Sequence, residues 1–268
     1  QRGDIVTSLL ECMAKGEFQV EQVIKAYIQR YVFYRGWNRP YTNAIGRAVL
    51  AHQLVRVPHL PSFPFAPLAK SLIESGRVDK SLTEVLFEDA LGQAKQLDAE
   101  FAETGKLRGP LHGIPITVKD QFNVKGVDTT LGYVGRSFAP AQEDAVLVQI
   151  LKNMGAIVIA KTNIPQSIMV RPRLSLAVSD SDIDSTPGAE TENPLWGLTT
   201  NPRNPIFSPG GSTGGEGALL ALHGSLFGFG TDIGGSVRIP QATVGLYGFK
   251  PSVSTNRHEQ TVLSFPFF

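Results

Sequence analysis

Two Gly-Gly-Ser turns, set close together in an apolar region, constrain this chain more than any other feature. The first lies in Ser208-Pro-Gly-Gly-Ser-Thr-Gly-Gly-Glu-Gly and the second in Gly230-Thr-Asp-Ile-Gly-Gly-Ser-Val-Arg-Ile-Pro. Glycine lets the backbone adopt positive φ, and consecutive N–H groups in such turns can converge on an anion. Gly/Ser composition usually indicates a flexible linker. Here, however, apolar neighbours favour two buried, shaped loops: Leu219, Leu220, Ile233, Val237 and Ile239.

Other glycine-rich motifs match this region less well. A P-loop requires Gly-Lys-Ser/Thr, whereas Gly215 is followed by Glu216, and no Gly-x-Gly-x-x-Gly follows a strand. The stretch around Ser212 satisfies Gly-x-Ser-x-Gly, the nucleophile elbow of α/β-hydrolases, with Asp232 and His258 following in the required order. The elbow needs a strand directly before it, and residues 201–209 contain three prolines. An esterase that uses Ser212 is therefore the weaker alternative.

Composition restricts the class of protein. The chain has 268 residues, 42% hydrophobic and 18% charged, with a formal net charge of +1, which are values of a globular protein without a basis for nucleic-acid binding. The single cysteine, Cys12, excludes an internal disulfide framework and a multi-cysteine metal site. It is typical of a reducing compartment, so we predict a cytoplasmic protein. The sequence contains no run of 18 or more apolar residues, so it predicts no transmembrane segment.

Alternating helix and strand patterns predict an α/β layered fold. Apolar positions at three- and four-residue steps predict helices over 4–31, over 88–104 with Gly105 as its stop, and over 143–154 with Gly155 as its stop. Short apolar runs predict strands over 82–87, 114–118 and 156–160. Because these runs do not alternate with polar residues, the strands are expected to be buried on both faces.

Four segments depart from this pattern. Residues 32–46, 56–80 and 171–189 are aperiodic, and loops of this length are uncommon in compact domains. The helical stripe that ends at Tyr31 continues through Val49, Leu50 and Leu54 if 32–46 is set aside. We hypothesise that the three inserts are translated introns and that the atypical tail, 254–268, is a fourth such error. Ordinary surface excursions are the alternative.

A lysine completes a set of recognisable motifs. Lys119 ends an apolar strand in the motif Gly109-Pro-Leu-His-Gly-Ile-Pro-Ile-Thr-Val-Lys-Asp. A second motif follows, Ala160-Lys-Thr-Asn-Ile-Pro-Gln. Together with the two glycine turns, these segments resemble the amidase signature family of serine hydrolases, over roughly residues 4–252 apart from the inserts. Two further motifs resemble its fungal acetamidase-like and fatty-acid amide hydrolase-like members: Gly126-Val-Asp-Thr-Thr-Leu-Gly-Tyr-Val-Gly and Tyr247-Gly-Phe-Lys-Pro. The resemblance implies a single α/β/α layered domain with a mixed central sheet, here incomplete at the C-terminal side.

The same resemblance implies a Ser-cisSer-Lys triad. Lys119 would be the general base, Ser212 the bridging serine after a cis peptide, and Ser236 the nucleophile. A serine hydroxyl needs an adjacent base, and Ser212 can both donate and accept a proton. Lysine has an ordinary pKa of about 10.4, so Lys119 must be buried to be neutral at pH 7. Asp120 must then point elsewhere, as alternation along a strand predicts.

The resemblance also assigns the surroundings of the triad and the reaction. Thr213, Asp232 and Arg238 would shape the loops, with ordinary surface charge as the alternative for Arg238. The implied reaction is hydrolysis of a short-chain or acyl amide through an acyl-enzyme, without metal or cofactor. The implied partners are the small-molecule amide and a second copy in a homodimer. A catalytically inactive truncated fragment is the main alternative, and glutamine-dependent transamidation is less favoured. The oxyanion hole would be formed by the backbone N–H groups of Ile233, Gly234, Gly235 and Ser236.

Overall fold

A computed structural model describes residues 5–34, 80–169, 190–252 and 261–265. The chain divides into two compact units, Gln1–Ile28 with Asp79–Phe268, and Gln29–Val78. The first unit holds the sheet and the predicted site residues. Except for 32–34 and Lys80, the predicted inserts lie outside the described residues, and so do the stripe positions 49, 50 and 54.

The helices follow the predicted pattern with one exception. A single helix over 4–31 is wrong, because two helices are separated at residues 15–19, where Gly16 adopts φ of 72°. The prediction that Gly105 ends its helix is confirmed, since it has φ of 64° and its N–H bonds the Phe101 carbonyl. In the described residues the α-helices are α1 Ile5–Ala14, α2 Val20–Tyr34, α3 Phe87–Thr104, α4 Val146–Asn153, α5 Gly214–Ala221 and α6 Arg238–Val244.

A six-stranded mixed sheet forms the centre of the first unit, which confirms the predicted fold class. Its order is β1-β3-β2-β6-β8-β7, and β2 is parallel to both β3 and β6, whereas the outer pairs are antiparallel. A separate hairpin pairs β4 with β5. The strands are β1 Leu82–Val85, β2 Pro115–Lys119, β3 Ile157–Thr162, β4 Glu192–Asn193, β5 Gly197–Leu198, β6 Phe227–Thr231, β7 Tyr247–Phe249 and β8 Thr261–Phe265.

Part of the atypical tail belongs to the sheet. Residues 261–265 form β8 between β6 and β7, with Ser264 opposite Gly228 on one side and Gly248 on the other. The edge strand β7 carries exposed aromatic side chains at Tyr247 and Phe249. The tail thus extends the sheet by one strand.

The two faces of the central strand β2 meet different partners. Ile116 and Val118 join a core with α3 and α4, whereas Thr117 and Lys119 face α5 on the opposite side. Because β2, β3 and β6 are parallel, their carboxyl ends meet at one edge, where ligands of such sheets commonly bind. Within the described residues, no helix has both the length and the apolar content needed to cross a bilayer.

Candidate active site

Lys119 ends strand β2 and is fully buried. Its Nζ lies 2.7 Å from Ser212 Oγ and 3.0 Å from Thr231 Oγ1. Burial lowers the pKa of Lys119 to about 7, although the negative charge of Asp232 acts in the opposite direction. The amine is therefore uncharged in a large fraction of molecules near neutral pH and can accept a proton. The peptide bond between Gly211 and Ser212 is cis.

Asp120 points away from Lys119, as strand alternation predicts. Its carboxylate accepts hydrogen bonds from Thr83 Oγ1 at 3.0 Å and from the N–H of Leu131 at 2.9 Å. A buried ion pair joins it to Lys161, with Nζ 3.8 Å from Oδ1. Asp120 therefore holds the loop after Asp128 and leaves Lys119 without an adjacent carboxylate.

Asp232 organises the loop that carries Ser236. Its buried carboxylate accepts hydrogen bonds from the N–H groups of Gly235, Val237 and Arg238 and two from the Arg238 guanidinium. Burial acts to raise the pKa of Asp232, but these hydrogen bonds outweigh it and hold the pKa well below its usual range. Asp232 and Arg238 thus have the contacts expected of loop-shaping residues.

Thr213 links the two glycine turns. Its N–H donates to the Ser236 carbonyl at 3.0 Å, so the residue after Ser212 is paired with Ser236. Ser236 is half-buried, and among the described residues no hydrogen bond joins its hydroxyl to that of Ser212. The structure therefore brings Lys119 and Ser212 into contact and holds Ser236 beside them.

The four N–H groups expected to bind an oxyanion are not equivalent. That of Gly235, which has φ of 112°, donates to Asp232 Oδ1 at 2.8 Å and is already used. In the described part of the chain, the N–H groups of Ile233, Gly234 and Ser236 donate to no protein acceptor. Ile233 and Gly234 are also exposed. Three of the four predicted donors are thus available.

Sequence reasoning missed a buried carboxyl group on α5. Glu216 is fully buried, and its oxygens accept hydrogen bonds from Thr117 Oγ1 and, at 2.8 Å, from Thr162 Oγ1. Burial raises the pKa of Glu216 to about 7, with the two threonine hydrogen bonds acting to lower it. A Cβ atom at Gly228 on β6 would overlap this carboxyl group. The only signal in the sequence was a charged residue inside an otherwise apolar, glycine-rich helix.

The raised pKa of Glu216 predicts that the free energy of unfolding changes between pH 4.5 and 7. Because its pKa rises from 4.5 to about 7 on folding, the folded state binds the proton more tightly. This stabilisation is complete below pH 4.5 and is lost as the pH rises through 7, by on the order of 3 kcal/mol. We expect Glu216→Gln to remove this loss in urea unfolding at a series of pH values.

The control for this experiment is Glu103→Gln, which alters an exposed glutamate on α3. It should keep the pH dependence of the unmodified chain. Equal slopes for Glu216→Gln and the unmodified chain between pH 4.5 and 7 would contradict the expectation. Above pH 7 the unmodified chain and Glu216→Gln should both gain stability with rising pH. The reason is Lys119, whose pKa is lowered from 10.5 in the folded state, so that it loses its proton at lower pH there than in the unfolded state.

The nucleophile-elbow alternative gains no support from the geometry. Within the described residues, none of 199–213 is in a strand, so no strand leads directly into Ser212. The Asp232 carboxylate faces Arg238, and His258 lies outside the described residues. Across the same described ranges, no group of three or more His, Cys, Asp or Glu side chains is arranged to hold a metal ion.

Comparison with known proteins identifies the family. The fold defines a mixed α/β protein, with a buried lysine bonded to a serine at the carboxyl edge of its parallel strands. The model of the family described as Amidase matches residues 69–174 and 184–259, more than half of the chain. The chain belongs to the amidase family, and the resemblance inferred from its motifs is confirmed.

Curated relatives are fungal amidases. Amidase 1 of Gibberella moniliformis is 54% identical over 183 residues, which cover 68% of this chain and 32% of the relative. The acetamidase of Aspergillus oryzae is 40% identical over 206 residues, which cover 77% and 30%. The chain thus spans about a third of the length of the curated relatives it matches.

Solved structures of amidases share the fold. A fatty acid amide hydrolase superposes with a TM-score of 0.67 at 31% identity, covering 96% of this chain and 35% of that chain. The native peptide amidase from Stenotrophomonas maltophilia also gives 0.67, at 25% identity, covering 95% and 41%. The mixed sheet described above is therefore the amidase sheet.

Proposed function

We propose that this chain hydrolyses carboxylic amides through an acyl-enzyme formed on Ser236. The observation that carries the proposal is the 2.7 Å contact between Lys119 Nζ and Ser212 Oγ in a fully buried site. The uncharged amine of Lys119 takes the proton of Ser212, and Ser212 takes the proton of Ser236. The Ser236 oxygen then attacks the carbonyl carbon of the amide.

The next step uses the same proton relay in the opposite direction. Lys119, now an ammonium group, returns its proton through Ser212 to the leaving nitrogen, and the C–N bond breaks as the ester with Ser236 forms. A water molecule then loses a proton along this path and hydrolyses the ester. The negative charge of Asp232 stabilises the transient ammonium form, since it acts to raise the pKa of Lys119.

The attack creates an oxyanion that needs donors. The N–H groups of Ile233, Gly234 and Ser236 are the candidates, because that of Gly235 is used by Asp232. Asp232 holds this loop through its bonds to Gly235, Val237 and Arg238, so the donors are positioned before the substrate arrives. Removing one such donor in a serine protease lowers kcat by about 10²–10³-fold.

The names of the relatives bear on the substrate. An acetamidase among the curated relatives favours a short-chain amide, and a fatty acid amide hydrolase among the structural neighbours favours a longer acyl amide. We propose that the substrate belongs to one of these two classes. A cytoplasmic location and a homodimer remain predictions from the sequence and the resemblance.

Ammonia release from acetamide and from longer acyl amides tests the function. Because the pKa of Lys119 is about 7 and the base must be uncharged, kcat/KM should fall tenfold per pH unit below about 7 and reach a plateau above it. The profile of kcat/KM from pH 5 to 9 measures this limb. A rate that increases towards low pH would contradict a lysine base. A folded chain that releases no ammonia would favour the inactive alternative.

A further inference from the structure

Lys119 has a second hydroxyl neighbour that the triad does not use. Thr231 ends strand β6, next to β2, and its Oγ1 lies 3.0 Å from Lys119 Nζ. The same oxygen lies 2.6 Å from Oε1 of Gln121, to which it donates. Thr231 is buried and Gln121 half-buried. These contacts form a chain of hydrogen bonds that runs from Gln121 to the catalytic amine.

We propose that Gln121 is a positioning residue, which acts through Thr231 to direct the lone pair of the uncharged Lys119 amine at Ser212. The proposal rests on the function proposed above, in which Lys119 is the base. Gln121 touches neither the amine nor Ser212 in the described hydrogen bonds. It acts by determining which way the Thr231 hydroxyl points.

The number of protons on Thr231 and on the uncharged amine sets the direction of the hydrogen bonds at Lys119. A threonine hydroxyl has one proton, and Thr231 donates it to Gln121, so towards Lys119 it can only accept. An uncharged amine has two N–H groups and one lone pair, and one N–H is used by Thr231. Of the two hydroxyls that contact Nζ in the described structure, only Ser212 can then donate to the lone pair. That donation is the first proton transfer of the proposed mechanism.

Without Gln121, the two hydroxyls would compete. The Thr231 hydroxyl could turn and donate to the lone pair of Lys119, which would leave the amine without a free pair for Ser212. The turn after β2 supports a dedicated contact, because it is closed by a hydrogen bond from the Phe122 N–H to the Lys119 carbonyl and Gln121 meets Thr231 from within it. The residue between them, Asp120, is turned towards Thr83 and Leu131.

Three buried acidic residues lie on or near β2 in the described structure, and one of them acts on the charge of Lys119. Asp232, on the loop after β6, acts to raise the pKa of Lys119. Asp120 is bonded to Thr83 and Leu131 and is paired with Lys161, and Glu216 on α5 is bonded to Thr117 and Thr162. A carboxylate placed at position 121 would therefore add a new charge on the side of Thr231.

Two variants at position 121 test the proposal. In Gln121→Leu the Thr231 hydroxyl is free to donate to Lys119, so kcat should fall by about tenfold with KM unchanged. Without the Gln121 acceptor, the Thr231 oxygen is a poorer acceptor for the N–H groups of the protonated amine, so the titration of Lys119 should move to lower pH. In Gln121→Glu the carboxylate still accepts the Thr231 proton, so kcat should exceed that of Gln121→Leu. Its negative charge should move the titration to higher pH by about 1–3 units.

The measurements are kcat and KM as functions of pH, and the ¹³Cε NMR titration of Lys119, assigned by comparison with Lys119→Met. Gln96→Leu, an exposed glutamine on α3, is the matched control and should change neither. Thermal melting of each variant shows that it is folded. In a chain that also carries Thr231→Val, Gln121→Leu should no longer move the titration, whereas a purely structural role or a direct effect of polarity at position 121 would leave that shift in place.

Unchanged kcat in Gln121→Leu, or titration shifts of the same sign in both variants, would overturn the proposal. The NMR titration needs no turnover. If the unmodified chain hydrolyses no amide, the proposed function fails on that result alone. The dependence of the Gln121→Leu shift on the Thr231 hydroxyl would still decide whether Gln121 directs the amine.

Discussion

Lys119→Met lowers kcat for amide hydrolysis by about 10⁴-fold or more and changes KM little. The expected size follows from the effect of removing one member of a catalytic triad in serine proteases. Methionine has nearly the volume of the lysine stem, but its thioether sulfur is not a base, so Ser212 and Ser236 have no group to take their proton. Steady-state ammonia release, measured at pH 8 where the amine is largely uncharged, gives both constants.

A double-mutant cycle makes this prediction specific. Ser236→Ala should cost about as much as Lys119→Met, and the double variant should be no slower, because residues of one relay act as a unit. Lys95→Met, which alters an exposed lysine on α3, is the control and should retain full activity. Activity that survives Ser236→Ala but is lost in His258→Ala would instead support an esterase that uses Ser212.

Gly215→Ala destabilises the folded chain by about 3 kcal/mol or more, since overpacking against a rigid neighbour has costs of this order. A Cβ atom at Gly215 would lie 2.4 Å from the N and 2.5 Å from the O of Asn163, and 2.7 Å from the O of Ser81. All three are backbone atoms, and the Asn163 N–H is itself bonded to the Ser81 carbonyl. They cannot move aside as a flexible side chain would. Urea unfolding of the purified variant measures the loss.

Gly92→Ala is the matched control for Gly215→Ala. Gly92 also lies in a helix, α3, but a Cβ atom there would meet nothing within 4 Å. This substitution should leave stability unchanged or raise it by about 0.5–1 kcal/mol, because alanine favours the helix more than glycine. A similar loss for both variants would show that close backbone contact is not the reason for Gly215.

Much of the candidate site could be predicted because its signals are local. The two glycine turns marked Ser212 and Ser236, and the charged residue at the end of an apolar strand marked Lys119. Of the central strands, β2 and β3 were predicted because parallel strands buried on both faces are continuous apolar runs. Strand β6, in which glycine alternates with phenylalanine, was not predicted. The helix over 4–31 was wrong because helical spacing of apolar residues resumes at Val20, although the chain turns at Gly16 between the two helices.

Other parts of the site have no local signal. Thr231 and Gln121 are single polar residues, 110 positions apart, and only the parallel pairing of β2 with β6 brings them together. Glu216 is charged in sequence but meets Thr117 and Thr162 from two different strands. Such contacts join residues distant in the chain, so no pattern within a short window can indicate them.

The amino-acid sequence alone determined the family, the segments that form β1, β2 and β3, and the identity of the candidate base and its two serines, because each depends on residue type and spacing within a short stretch. Only the tertiary structure decided the protonation of Lys119, the direction of Asp120, the use of the Gly235 N–H and the hydrogen bonds of Thr231. These depend on which groups are removed from water and on which donors meet which acceptors, and strand pairing across the sheet sets both.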